Sequence, residues 1–314
     1  MKNNSLIYVA GHNGMVGKAI HQKLSLSGYT NIIVKNRSDL DLRNQEQVNH
    51  FFRTYRPEYV FLAAAKVGGI THNKNHPADF IRDNLLIQTN VIDASHIYGV
   101  SKLCFLGSAC IYPKLATVPI KESSLLTGSL EETNDAYAVA KIAGYTMCKK
   151  YTEQYGMNTV SLMPANLYGP NDNFKINECH VIPALIRKFT EAKKNNLESV
   201  ECYGDGSPTR EFLHVDDLAD AAIYLMNNHN DPDIVNVGNG IEISIRDLAE
   251  KIKALVQYDG EIVWNVNYPN GTPRRVLDVT KIKSLGWSDH TDLDKGLEDT
   301  IFWFNTVVDD NKRV

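Results

Sequence analysis

Ser5-Leu6-Ile7-Tyr8-Val9-Ala10-Gly11-His12-Asn13-Gly14-Met15-Val16-Gly17 decides the fold. An apolar, β-rich run delivers a Gly-x-x-Gly-x-x-Gly turn. Val16, Ala19, Ile20 and Leu24 then follow at helical spacing, with Gly28 as a stop. Strand, glycine turn and helix in that order form the setting in which a backbone approaches a pyrophosphate at a helix N-terminus. Gly11, Asn13, Gly14, Met15, Val16 and Gly17 are therefore candidate dinucleotide contacts. Read alone, the motif is also compatible with a glycine-rich turn that holds no ligand.

Outward from this turn, Asn31 to Lys35 reads as a second strand. Its end lacks the acidic residue that would hold a ribose 2′-hydroxyl and carries Lys35 and Arg37 instead. That suits a 2′-phosphate, and so NADP, about as well as it suits a solvated basic loop. Asp41 and Leu42 lie where an adenine contact is expected. Tyr59 to Ala65 is a continuous apolar strand of the kind buried on both faces of a parallel sheet, and a Gly68-Gly69 loop follows. A helix is expected from Pro77 to Tyr98, a strand from Lys102 to Gly107, and another strand from Asn158 to Met163. This alternation predicts an α/β fold, a doubly wound parallel Rossmann sheet.

Between the last two strands lies Asn134-Asp135-Ala136-Tyr137-Ala138-Val139-Ala140-Lys141. Asn134 or Asp135 can cap a helix on which Tyr137 and Lys141 share a face. A tyrosine ordinarily ionises near pH ~10, and a neighbouring ammonium is expected to lower that value. Two surface residues on one helix face would give the same spacing. Ser108 and Cys110 follow the 102–107 strand at its carboxyl end, where ligands gather in open α/β sheets.

Beyond Pro164 the alternation loosens. Stretches 166–173 and 204–212 read as turn-rich loops, with a helix between them from His180 to about Asn195 and a helix beginning at Val215. Residues 1–165 form the expected cofactor domain, with 208–240 returning to it, and 166–207 plus 241–314 form a smaller substrate lobe. The 314 residues are 43% hydrophobic with a net charge of -4, enough for a sizeable core and without a polyanion-binding bias. That balance argues against nucleic acid as a partner. No apolar run approaches the ~18 residues of a membrane span, so no membrane association is expected. Met1-Lys2-Asn3-Asn4 runs straight into a strand without a signal-peptide pattern. Five cysteines without a CxxC pair suggest a reducing, cytoplasmic setting, no disulfide framework and no metal.

Longer strings sharpen the reading. They are Ala63-Ala64-Ala65-Lys66-Val67-Gly68-Gly69-Ile70, Ser108-Ala109-Cys110-Ile111-Tyr112-Pro113-Lys114, Tyr137 to Gly144, Asn166-Leu167-Tyr168-Gly169-Pro170, His180 to Leu185, and Arg210 to Asp217. With the glycine turn they resemble extended short-chain dehydrogenase/reductases, and specifically the GDP-L-fucose synthase family, over nearly the whole chain. The resemblance implies a 3,5-epimerase and NADPH-dependent 4-reductase acting on a GDP-linked 4-keto-6-deoxy sugar. Ser108, Tyr137 and Lys141 would serve reduction, with Cys110 as base and His180 as acid in epimerisation. Ala64, Lys141, Pro164, Asn166, Leu167 and His180 would join the NADP(H) contacts. Asn166, Lys188, Tyr203, Arg210, Arg275 and Asp278 would hold the substrate. The resemblance also implies a homodimer in which the helices near 77–98 and 134–155 pair with their copies in a four-helix interface.

Each of these residues also has a plainer reading. Cys110 alone suits a small buried apolar residue, His180 a capping or core histidine, and Lys188 a solvated helix face. The chain departs from the family pattern at several positions. Asn13 stands where arginine is frequent, leaving more to Arg37, Tyr203 stands for tryptophan, and Ala165 for threonine. The segment Lys175-Ile176-Asn177-Glu178 before His180 also differs. The same fold could act on another GDP-4-keto-deoxy sugar, a colitose precursor or a 6-deoxy-heptose, or could be a 4-reductase only. A non-catalytic nucleotide sensor is a further alternative.

Overall fold

A computed structural model describes residues 1–175, 178–268 and 270–309, so Ile176 and Asn177 of the departing segment lie outside it. β1 (Ile7–Ala10) is wholly buried and leads through the glycine turn into α1 (Met15–Leu26). β2 (Ile32–Ile33), α2 (Gln45–Tyr55), β3 (Tyr59–Leu62), the short α3 (Ile70–Asn75) and α4 (Pro77–Ile97) follow. β4 (Lys102–Leu106), α5 (Asp135–Tyr155) and β5 (Thr159–Pro164) complete the alternation. The expected second strand shrinks to two residues and the third stops at Leu62. α5 starts where the sequence places it, but Asn134 makes no side-chain capping bond and its Oδ1 is buried without a partner.

The later chain differs more. β6 (Asn166–Tyr168) and β8 (Thr209–His214) are strands where the sequence reads as loops, and they pair in parallel, Asn166 opposite Phe212. Between them lie α6 (Val181–Lys194), with His180 at its N-cap, and β7 (Ser199–Tyr203). α7 (Val215–Asn228) and β9 (Val235–Val237) come next, then β10 (Glu242–Ser244), α8 (Ile245–Val256) and β11 (Glu261–Asn265). β12 (Arg274–Arg275), α9 (Thr280–Ser284) and α10 (Leu293–Asp309) end the fold.

The main sheet is parallel throughout, in the order β2-β1-β3-β4-β5-β9. Chain order reverses beside β1, with β2 on one side and β3 on the other. A crevice therefore opens outside the carboxyl ends of these strands. Its core runs from Tyr8 and Phe61 through Phe105 and Leu162, and Leu277, Ile282 and Trp287 from the later chain also enter it. A second core of Phe174, Leu185, Phe189, Phe212, Leu248 and Phe304 lies under the β8–β10–β12 sheet. Among the described residues no helix is long and apolar enough to cross a membrane.

Candidate active site

The glycine turn is shaped by close approach. Gly11 has φ +89°, and a Cβ there would lie 2.6 Å from the Ala64 nitrogen. A Cβ at Gly17 would lie 2.2 Å from the Gly11 carbonyl oxygen, so helix and turn can meet only through glycine. Gly14 is different: a Cβ there meets nothing closer than 3.5 Å, leaving space above the N-terminus of α1. Gly14 caps that helix without a side-chain bond, so Met15 and Val16 begin it with amides free for an anion. A dinucleotide phosphate fits this cradle. Asn13 Nδ2 donates to Asn36 Oδ1 at 2.8 Å, tying the turn to the loop that carries exposed Arg37. Asp41 is engaged by Arg43 at 2.7 Å, which holds its carboxyl down to about 2. The carbonyl of Leu42 accepts from Asn90 at 2.9 Å.

Ser108, Cys110, Tyr137 and Lys141 converge at the end of β4. Ser108 Oγ accepts from the Cys110 amide at 3.3 Å, starting the short helical turn that carries the thiol. Lys141 Nζ donates to the Leu106 carbonyl at 2.7 Å and lies 5.7 Å from the Tyr137 ring centroid. Burial pushes the Lys141 ammonium down to about 8. The Tyr137 phenol moves opposite to the sequence expectation. Burial raises it well above its usual range, and the nearby Cys110 adds to the rise. Loss of water is the dominant influence on the phenol, although Lys141 lies over the same ring. Cys110 is likewise pushed up by burial, opposed by the Ser108 hydroxyl and the cations Arg275 and Lys141.

His180, the N-cap of α6, has an exposed surface, yet the protein packed around it pushes its imidazole below the usual range. Its shoulder is fixed by the Gly69 amide, which donates to the Glu178 carbonyl at 2.7 Å. The buried Pro164 ends β5, and Leu167 sits in β6 beside Asn166, whose Nδ2 donates to the Glu211 carbonyl at 2.9 Å. Arg210 and Arg275 are direct partners across β8 and β12. Burial lowers both guanidinium pKa values, and for Arg210 the charge of Arg275 adds to this. Lys188 forms a separate group: its Nζ lies 4.5 Å from the Tyr203 ring centroid and donates to the Glu201 carbonyl at 2.8 Å. Tyr203 stacks on Tyr268 at 3.9 Å. The Asp278 carboxylate accepts from the Thr280 amide at 2.9 Å.

The sequence reading passed over the residues that support this constellation. Asn84 on α4 accepts from the Lys66 amide and donates to the Lys66 carbonyl, both at 2.9 Å, fixing the loop after β3. Gln88 donates to the Ala140 carbonyl at 2.6 Å and locks α4 to the Tyr137 helix. Glu211 is buried and accepts from two distant amides. Polar residues on the inner face of α4 were the available signal, but without the partner helix they read as solvated.

A phosphate cradle and a tyrosine–lysine–serine set around one crevice define a dinucleotide-dependent enzyme of the extended reductase and epimerase class. The chain belongs to the NAD dependent epimerase/dehydratase family, whose model matches residues 7–238. GDP-L-fucose synthase 1 of Arabidopsis thaliana is 53% identical over 298 residues, 95% of this chain and 92% of that protein. GDP-L-fucose synthase of Escherichia coli (strain K12) is 48% identical over 307 residues, 95% of this chain and 96% of its own. The solved structure of MlghC, a GDP-mannoheptose C4 reductase from Campylobacter jejuni with NADP bound, is 41% identical with TM-score 0.89, covering 97% of this chain and 99% of that one.

Proposed function

We propose that this protein is a bifunctional 3,5-epimerase and NADPH-dependent 4-reductase that converts GDP-4-keto-6-deoxy-D-mannose to GDP-L-fucose. The observation that carries this reading is the position of Cys110. An acid–base thiol stands within the Ser108–Tyr137–Lys141 cluster, where reduction alone would not require one. The 48% and 53% identical relatives support the same substrate. NADPH, when bound, supplies the hydride, and Gly11, Asn13, Gly14, Met15, Val16, Gly17, Arg37, Ala64 and Lys141 would hold it.

The C4 ketone acidifies the C3 and C5 hydrogens by stabilising an enolate. Cys110, as thiolate, removes a proton from one face, and Arg275 and Lys141 favour that charge. His180 returns a proton to the other face. The diphosphate of a seated substrate opposes the burial that lowers His180 and so favours its imidazolium form. Tyr137 then protonates the C4 oxygen while Ser108 hydrogen-bonds it. Its raised pKa keeps the phenol a proton donor at neutral pH. Arg210 and Arg275, with Asn166, Lys188, Tyr203 and Asp278, would hold the GDP moiety.

In this reading residues 1–165 and 208–240 hold the cofactor. Residues 166–207 and 241–314 form the substrate lobe, although Leu277 to Trp287 pack on the main sheet. The protein would be a cytoplasmic homodimer joined through α4 and α5. Support for the dimer comes from exposed Leu86 and Ile97, three helical turns apart on α4, and from exposed Val139 and Tyr155 on α5. Sedimentation as a monomer at micromolar concentration would contradict the dimer.

The 41% identical heptose reductase keeps a GDP-keto-heptose in view as a second substrate. Supplying each sugar with NADPH and identifying the product by NMR decides between them. Preferred turnover of the 6-deoxy-mannose derivative to a fucose-configured product supports the proposal, and preferred heptose turnover overturns it.

A further inference from the structure

We propose that Glu211 is a positioning residue for substrate binding: its buried carboxylate fixes β12 against β8 and so sets the relation of Arg275 to Arg210, without touching substrate itself. The proposal rests on the reading of these arginines as the GDP-sugar's anion site. Glu211 is 1% exposed. Oε1 accepts from the Gly240 amide and Oε2 from the Leu277 amide, each at 2.7 Å. The Asn239 amide is also directed at the carboxylate. The Glu211 carbonyl accepts from Asn166 Nδ2 at 2.9 Å. One residue therefore joins the β9–β10 turn, the end of β12 and the β6 strand that carries Asn166.

This arrangement matters because the pairing of β12 with β8 is short. The chain just beyond it is also drawn to Ile120, whose amide donates to the Val276 carbonyl at 2.9 Å and whose carbonyl accepts from the Asp278 amide at 2.8 Å. Its ladder to β8 has two residues, Arg274 opposite Thr209 and Arg275 opposite Arg210, extended by the Thr209 amide bonding the Pro273 carbonyl at 2.9 Å. So short a pairing specifies register poorly. The Glu211–Leu277 bond lies two residues beyond Arg275 and closes the other end. Along β8 successive side chains point to opposite faces, so Glu211 turns inward where its neighbour Arg210 turns away. Charge attraction is not the link. The carboxylate is spent on backbone amides, and burial, the largest influence on it, raises its pKa against those bonds.

Only an acceptor-only group satisfies this geometry. Glutamine has nearly the same shape but presents NH₂ to one of the two amides, setting donor against donor in a buried place. One anchor is lost, and β12 moves relative to β8 while the glycine cradle, on the other sheet, is untouched.

The test compares the full-length protein with Glu211→Gln and the shorter Glu211→Asp, titrating GDP and NADPH separately by calorimetry. For Glu211→Gln the expected result is GDP affinity lower by about tenfold, with NADPH affinity within about twofold of the unmodified protein. Glu211→Asp should lose less in the same direction. A KM increase for the GDP-sugar with little change in kcat should accompany this. Unchanged GDP affinity in either folded variant overturns the proposal. So does joint loss of GDP and NADPH binding in both variants, which would make Glu211 a general structural residue. Failure of the unmodified protein to bind GDP would instead sink the reading of the arginines, and the proposal with it.

Discussion

Arg210 on β8 and Arg275 on β12 stand directly opposite each other in a parallel strand pair, two like charges side by side and half-buried. Each guanidinium makes a backbone contact, Arg210 to the Thr209 carbonyl at 2.7 Å and Arg275 to the Tyr112 carbonyl at 3.4 Å. Arg275 Nε is buried without a partner. A pair so placed repels itself, and the proposed diphosphate would accept from both. Replacing Arg275 by methionine should raise the KM for the GDP-sugar by about tenfold or more, in line with ~1.5–3 kcal/mol for a charged hydrogen bond. Steady-state kinetics at saturating NADPH check this. An unchanged KM would remove Arg275 from the substrate site.

In the proposed mechanism Tyr137 and Cys110 carry separate chemistries in one cleft. Tyr137→Phe should lower the rate of reduction by about 10²–10⁴-fold and leave proton exchange at C3 and C5 running. The two rates are read from NADPH consumption and from proton NMR. Loss of both in a folded variant would show that the centres do not act independently.

Lys141 supplies a pH signature. Its folded pKa of about 8 lies below the ordinary 10.5, because burial disfavours the ammonium. Between those values the unfolded chain binds the extra proton, so the lysine's contribution to stability rises with pH across that window. Below it the charged form bears the full desolvation cost. The stability of Lys141→Met relative to the unmodified protein should therefore fall as pH rises from about 8 to about 10.5. Urea unfolding at both ends of the window measures it. A difference that does not vary with pH would mean the ammonium is not desolvated.

The glycine turn separates folding from binding. An added methyl at Gly17 would meet the Gly11 carbonyl oxygen at 2.2 Å, so Gly17→Ala should cost roughly 1–3 kcal/mol of stability. At Gly14 the nearest atom is 3.5 Å away, so Gly14→Ala should fold normally but weaken NADPH binding. Thermal unfolding and cofactor titration on both variants distinguish these effects. Equal stabilities would mean the turn yields more easily than its contacts imply.

Much of the fold was legible because parallel strands buried on both faces read as plain apolar runs, as in Ile7–Ala10 and in the Leu103 to Leu106 part of β4. β8 was missed because Arg210 and Glu211 look like loop residues until the strand's neighbours are known. Its polar side chains are the proposed anion site and the proposed anchor beneath it. β6 was hidden by its asparagine and the Gly169-Pro170 turn that follows. The residues that converge at the end of β4 were visible as residue types at fixed spacings. The direction of the Tyr137 shift was not, because spacing shows that Lys141 is near but not how fully the fold removes water from the phenol.

The most direct test runs the reaction in heavy water, with GDP-4-keto-6-deoxy-D-mannose and NADPH, and reads the product by NMR and mass. Both chemistries acting in this cleft predict a fucose-configured GDP-sugar carrying deuterium at C3 and C5. A reduced product without deuterium would contradict the account, leaving Ser108, Tyr137 and Lys141 as a reductase and removing Cys110 and His180 from the chemistry.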